Sequence, residues 1–112
     1  MTKRYCLTLD LKDDAVLIEE YRRYHQQIWP EITRSIREAG IKDMEIYLHG
    51  TRMFMIIEAR DDFSFERKAA TDRTNPKVQE WEALMWKFQK AVAGARPGEK
   101  WLLMERIFKL EK

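Results

Sequence analysis

An internal disulfide is closed to this chain, because Cys6 is the only cysteine in its 112 residues. That scarcity carries no sign of an oxidising, exported environment, and the expected address is cytoplasmic. Long hydrophobic runs are also missing: none approaches the roughly 20 residues that span a bilayer. The N-terminus alternates from Tyr5 and reaches Asp10 too early to be a signal-peptide core. Neither sign of charge dominates. The 21 Lys and Arg residues meet 19 Asp and Glu, a formal charge of +2, so no strong field exists to draw in nucleic acid or an anionic membrane. Histidine is scarce, with only His25 and His49. Neither belongs to a close-spaced ligand set, so no metal centre is expected. Repeats, linkers and low-complexity stretches are absent as well.

What is present suits one compact domain, residues 1–112. Hydrophobic residues make up 45% and aromatics 12% of the chain, enough for a single two-layer core. Tyr5, Leu7, Leu9 and Leu11 alternate with polar residues, the period of a half-buried strand. Asp13 and Asp14 then offer caps for a helix predicted from Ala15 to Ala39 and closed by Gly40. Met44–His49 and Met53–Ala59 read as a hairpin turned at Gly50-Thr51. Asp61 and Asp62 would start a short helix through about Thr71. Asn75 as cap and Pro76 as first residue would start a longer one ending near Gly94. A last strand is predicted over Trp101–Leu110.

The order β-α-β-β-α-β is the split pattern of a ferredoxin-like α+β fold, an antiparallel sheet with its helices on one face. The Met53-Phe54-Met55-Ile56-Ile57 run is apolar on both sides. A helix-free face of that kind needs cover, which predicts a homodimer packed sheet to sheet.

His25 stands out against this frame. At about 100° per residue, Ile18, Tyr21, Ile32 and Ile36 all fall within roughly 40° of it around the predicted helix. The histidine therefore occupies the middle of the buried stripe, with Tyr21 four residues before it and Trp29 four after. Pro30 should kink the helix just beyond, opening a small polar pocket and freeing the Gln26 carbonyl. The plain alternative is a core histidine satisfied by one backbone carbonyl. Met53, Met55, Met85 and Met104 read as core filler, and Arg22-Arg23 as a solvated helix edge.

The run Glu20-Tyr21-Arg22-Arg23-Tyr24-His25-Gln26-Gln27-Ile28-Trp29-Pro30-Glu31 resembles the signature of the L-rhamnose mutarotase family. The likeness continues through Ile46-Tyr47-Leu48, Thr71-Asp72 and Gln79-Glu80-Trp81. The resemblance implies a dimeric α+β barrel of ferredoxin-like subunits. It also implies His25 as proton donor and Tyr21 as a sugar contact. Of the family's sugar-binding tryptophan pair, Trp81 is kept and Glu82 replaces the second. A pocket tyrosine of the family appears here as Met44. These two departures bear on which sugar is bound, and the likeness to relatives linked with L-fucose favours L-fucose over L-rhamnose.

The implied activity is anomer exchange of a 6-deoxy-L-hexopyranose, which needs no cofactor. His25, with an ordinary pKa near 6.5, would protonate the ring oxygen on opening and take that proton back on closing. Tyr21, Tyr47, Glu82 or a water held by Gln26 are open as its partner. Trp29 and Trp81 offer flat apolar surfaces to the sugar. Two rivals share the fold: a cofactor-free monooxygenase of aromatic compounds, and a ligand-binding dimer module without chemistry.

Overall fold

The computed structural model describes residues 2–111. The first strand, β1 (Thr2–Leu11), buries Leu7, Leu9 and Leu11 on one face. The Asp14 carboxylate then caps α1 (Ala15–Gln26) by accepting from the Val16 and Leu17 amides.

The predicted single helix to Ala39 is in fact two. The chain leaves α1 at Gln27, whose φ of −148° is extended, and resumes as α2 (Pro30–Glu38) with Pro30 at its N-terminus. Proline lacks the N–H that the preceding turn would need, and it forces Trp29 before it out of the helical region, to a ψ of 134°. The result is a break and a new helix start rather than a kink.

Gly40, at a φ of 100°, reverses the chain into β2 (Ile41–His49), which pairs antiparallel with β3 (Arg52–Arg60). Ser64, not Asp61 or Asp62, caps the next helix, α3 (Phe65–Arg73). Asn75 and Pro76 open α4 (Pro76–Trp86) as the sequence predicts, its side-chain oxygen accepting from the Lys77 and Val78 amides. That helix stops eight residues short of Gly94 because Phe88 and Gln89 are drawn into the sheet, Gln89 opening a two-residue strand, β4 (Gln89–Lys90).

The sheet order is β2-β3-β1-β4, all antiparallel, and β5 (Leu102–Leu103) shares the outer edge of β1 with β4. This is the ferredoxin-like strand order, and the α+β architecture stands. The last strand is much shorter than predicted. It pairs only with Leu7 and Thr8, and past the Met104 amide, which donates to the Cys6 carbonyl at 2.7 Å, the chain leaves the sheet. Leu103, Met104, Ile107, Phe108 and Leu110 are all exposed, Ile107 to 88%. Met104 is thus not core filler, whereas Met53, Met55 and Met85 are buried.

The core lies between the helices and one sheet face. Leu9, Leu11 and Met53 pack with Tyr21, Ile32, Val78, Trp81, Met85 and Phe88, while Leu7, Met55, Ile57 and Phe63 form an adjoining group. The opposite sheet face is mixed: half-buried Cys6, Phe54 and Ile56 lie between the exposed Arg4–Glu58 and Arg52–Asp10 ion pairs. Among the described residues no helix is long and apolar enough to cross a membrane.

Candidate active site

Tyr21 and His25 project from one side of α1, one turn apart, as the spacing predicts. Their rings lie 4.3 Å apart at 32°. The His25 Nδ1–H donates to the Tyr21 main-chain carbonyl at 2.8 Å. A carbonyl only accepts, so the proton of the neutral ring sits on Nδ1 and the lone pair on Nε2. Burial lowers the His25 pKa below its ordinary 6.5, with the carbonyl bond working partly against it. The plain reading of a histidine satisfied by backbone therefore describes one nitrogen, and the other is a neutral base.

Tyr21 is 4% exposed. Burial pushes its phenol up to about 12, and the hydrogen bond from Gln89 works in the other direction. At neutral pH it is a protonated phenol. The Gln89 Nε2 donates to the Tyr21 hydroxyl at 3.3 Å.

These groups border a cavity of about 630 Å³ between the helices and the sheet. His25 and Tyr21 from α1 meet Met44 and Ile46 from β2, and Trp81, Glu82 and Met85 from α4. Trp81 closes one side, with its ring edge-on to His25 at 5.7 Å and to Trp29 at 5.1 Å. Five of the seven residues singled out in the sequence thus line one space. Two do not. Trp29 caps α2 and stands outside the cavity lining, in ring contact with Trp81. Tyr47, 53% exposed, borders a second cavity that Tyr21 and His25 also line, together with Arg22 and Gln26, and its hydroxyl donates to Glu45 at 3.3 Å.

Several lining residues escaped the sequence reading. Gln89 lay in a segment predicted as helix. Lys100 reaches in from the segment after α4: its ammonium donates to the Glu82 main-chain carbonyl at 2.8 Å and sits 4.8 Å over the Trp86 ring. Burial lowers the pKa of that lysine, with the Glu82 carboxylate opposing. At the α3 end, Lys68 pairs with buried Asp72 at 2.6 Å. Only Asp72 had a signal, as part of the Thr71-Asp72 likeness. A space this size, apolar along β2 and β3 and lined by both polar and apolar side chains from the helices, fits a small polar molecule with one hydrophobic edge. The pairing of a neutral imidazole nitrogen with a protonated phenol equips it for proton exchange on that molecule.

The family model for L-rhamnose mutarotase matches residues 4–110. An L-fucose mutarotase of Xanthomonas campestris is 46% identical, over 98% of this chain and 90% of its own. An L-rhamnose mutarotase of Burkholderia cenocepacia is 35% identical, over 83% and 86%. The crystal structure of an L-rhamnose mutarotase from Formosa agariphila superposes with a TM-score of 0.72 at 18% identity, covering 97% of this chain and 99% of that one, and so shares the fold. By the family match along nearly its whole length, this chain belongs to the L-rhamnose mutarotase family.

Proposed function

We propose that this protein, acting as one domain over residues 1–112, interconverts the α and β anomers of a 6-deoxy-L-hexopyranose without a cofactor, and that L-fucose is preferred to L-rhamnose. The observation that carries the proposal is the His25–Tyr21 pair at the cavity wall: one neutral base and one neutral acid, with ring centres 4.3 Å apart. Ring opening needs both at once. The anomeric oxygen must lose a proton while the ring oxygen gains one, and both oxygens are bonded to the same carbon.

The base is His25 Nε2 and the acid is the Tyr21 hydroxyl. On opening, O1 gives its proton to Nε2, the C1–O5 bond breaks as C1=O1 forms, and O5 takes the phenol proton. After rotation about C1–C2, closure on the other face of the aldehyde returns each proton to its donor. The direction differs from the sequence expectation, in which His25 protonates the ring oxygen first. With Nδ1–H committed to the Tyr21 carbonyl, the resting ring has a place for a proton and none to give.

Trp81 presents an apolar face to the sugar's C–H edge, with Trp29 supporting it from behind. Met44 and Glu82, where the family places aromatic residues, set the sugar preference. The 46% identity to an L-fucose mutarotase supports L-fucose. Tyr47 shares the second cavity with His25 and Tyr21, but it is exposed and its hydroxyl is spent on Glu45, so the buried Tyr21 phenol is taken as the second proton carrier. The homodimer expected through the helix-free sheet face is part of the proposal, and the exposed apolar tail from Leu103 to Leu110 adds surface for the second copy to cover. The cytoplasm suits the single free Cys6.

Saturation transfer between the α and β anomeric protons of L-fucose and of L-rhamnose, with and without protein, tests the activity. Faster exchange with protein, larger for L-fucose, is expected. Unchanged exchange of both sugars at micromolar protein would refute it.

A further inference from the structure

One buried polar side chain in the cavity has no task in the scheme above. Gln89 opens β4, pairs with Leu11 across the sheet, and is 4% exposed while still lining the cavity. Its Nε2 donates to the Tyr21 hydroxyl at 3.3 Å, and its Oε1 is buried with no hydrogen-bond partner among the described residues. An unpaired buried carbonyl oxygen is destabilising. Turning the amide over does not help, because Oε1 would then take the phenol proton and leave the NH2 group unpaired instead. A methionine of the same length would suit the fold better. A polar group that costs the fold in this way is expected where function uses it.

We propose that Gln89 is a positioning residue for Tyr21: by donating to the phenol oxygen, its amide turns the phenol's own O–H toward the bound sugar. A phenol hydroxyl lies near the ring plane and has two in-plane directions for hydrogen bonding. The Gln89 N–H occupies one of them, so the Tyr21 proton takes the other. Without Gln89 that proton is free to rotate away, and the phenol must be reoriented at each ring opening. The same arrangement explains why glutamine serves where serine or asparagine would not: Gln89 lies on the sheet edge and needs its length to reach a ring carried by α1. The inference deepens the mutarotase reading and rests on it.

The test is a double-mutant cycle on anomer exchange of L-fucose, with Gln89→Met, Tyr21→Phe and both together. Exchange by the unaltered protein is measured first, and its absence would remove the mutarotase reading itself. With exchange established, Q89M should lower kcat about tenfold, the loss of one hydrogen bond's worth of orientation, with KM within about twofold. In the Tyr21→Phe background the same change should cost less than about twofold, since no phenol proton is left to aim. The melting temperature of Q89M should equal or exceed that of the unaltered protein, because the unpaired carbonyl is gone. Independent effects of the two substitutions, or a loss confined to KM, would overturn the inference. Gln89→Leu, carried through the same cycle, should give the same coupling and replaces Q89M if that variant does not fold.

Discussion

His25 and Tyr21 are joined twice, by the Nδ1–H bond to the Tyr21 main-chain carbonyl at 2.8 Å and by ring contact at 4.3 Å. The first contact fixes which imidazole nitrogen carries the proton. The second puts a phenol beside the other nitrogen's working space. One helical turn thus brings two ionisable side chains together on α1.

A pH dependence follows from the direction of the His25 shift. Burial holds the folded-state pKa below 6.5, so the neutral base persists from alkaline pH through neutrality. Exchange catalysis should be flat across that range and fall only at a pH below the ordinary histidine value. A plot of kcat against pH, corrected for the uncatalysed rate, checks this. An inflection above 6.5 would contradict it.

The same shift has a consequence for stability. Well above pH 6.5 both folded and unfolded forms hold a neutral His25 and the linkage vanishes. As pH falls below that value the unfolded chain takes up the proton first, so the fold loses stability until the folded pKa is passed. Denaturant unfolding at pH 7.5 and 5.5 should show a larger drop in the unaltered protein than in His25→Phe.

The fold was legible to the extent that its signals are local. The alternation of Tyr5 to Leu11, the Asn75-Pro76 start and the Gly50-Thr51 turn each depend on neighbouring residues, and each element is where they place it. Pro30 predicts a kink because proline constrains a helix in two ways, and periodicity alone does not choose between bending it and restarting it. The restart moved Trp29 off the stripe and out of the cavity lining. The end of α4 was missed for a different reason: Phe88 and Gln89 have no breaker near them, and pairing with Leu11 decides their state. Gln89 and Lys100 were hidden from the site reading because the contacts that place them join residues 68 and 18 positions apart.

Substrate preference should respond to the two departures from the family pattern. Met44 and Glu82 face the same cavity as His25. Restoring the aromatic residues with Met44→Tyr and Glu82→Trp together should shift the ratio of kcat/KM toward L-rhamnose by about tenfold, the scale of one net hydrogen bond. Anomer exchange of each sugar with the double variant measures the ratio.

The tail should govern assembly. Ile107 and Phe108 are 88% and 74% exposed, which a second subunit would cover. Light scattering on the unaltered protein should give a dimer mass. Ile107→Lys with Phe108→Glu should give a monomer and a lower melting temperature. A monomer before substitution would contradict the dimer.

Lys100 should matter for binding rather than chemistry. It ties the segment after α4 to the Glu82 carbonyl and covers the Trp86 ring. Lys100→Ala should raise KM for L-fucose several-fold, because the wall segment it anchors to the Glu82 carbonyl loosens, and leave the pH profile of kcat in place. Steady-state exchange at varied sugar concentration checks both parts.

The central claim is that His25 carries the proton in anomer exchange, and the most direct measurement compares the unaltered protein with His25→Gln on equilibrated L-fucose by saturation transfer. The amide is close in size to the imidazole and keeps an N–H for the Tyr21 carbonyl, so the fold and the sugar's KM should change little. The account predicts a fall in catalysed exchange of about 100-fold or more, the scale of a positioned acid–base group. Exchange by His25→Gln within a few-fold of the unaltered protein would contradict it.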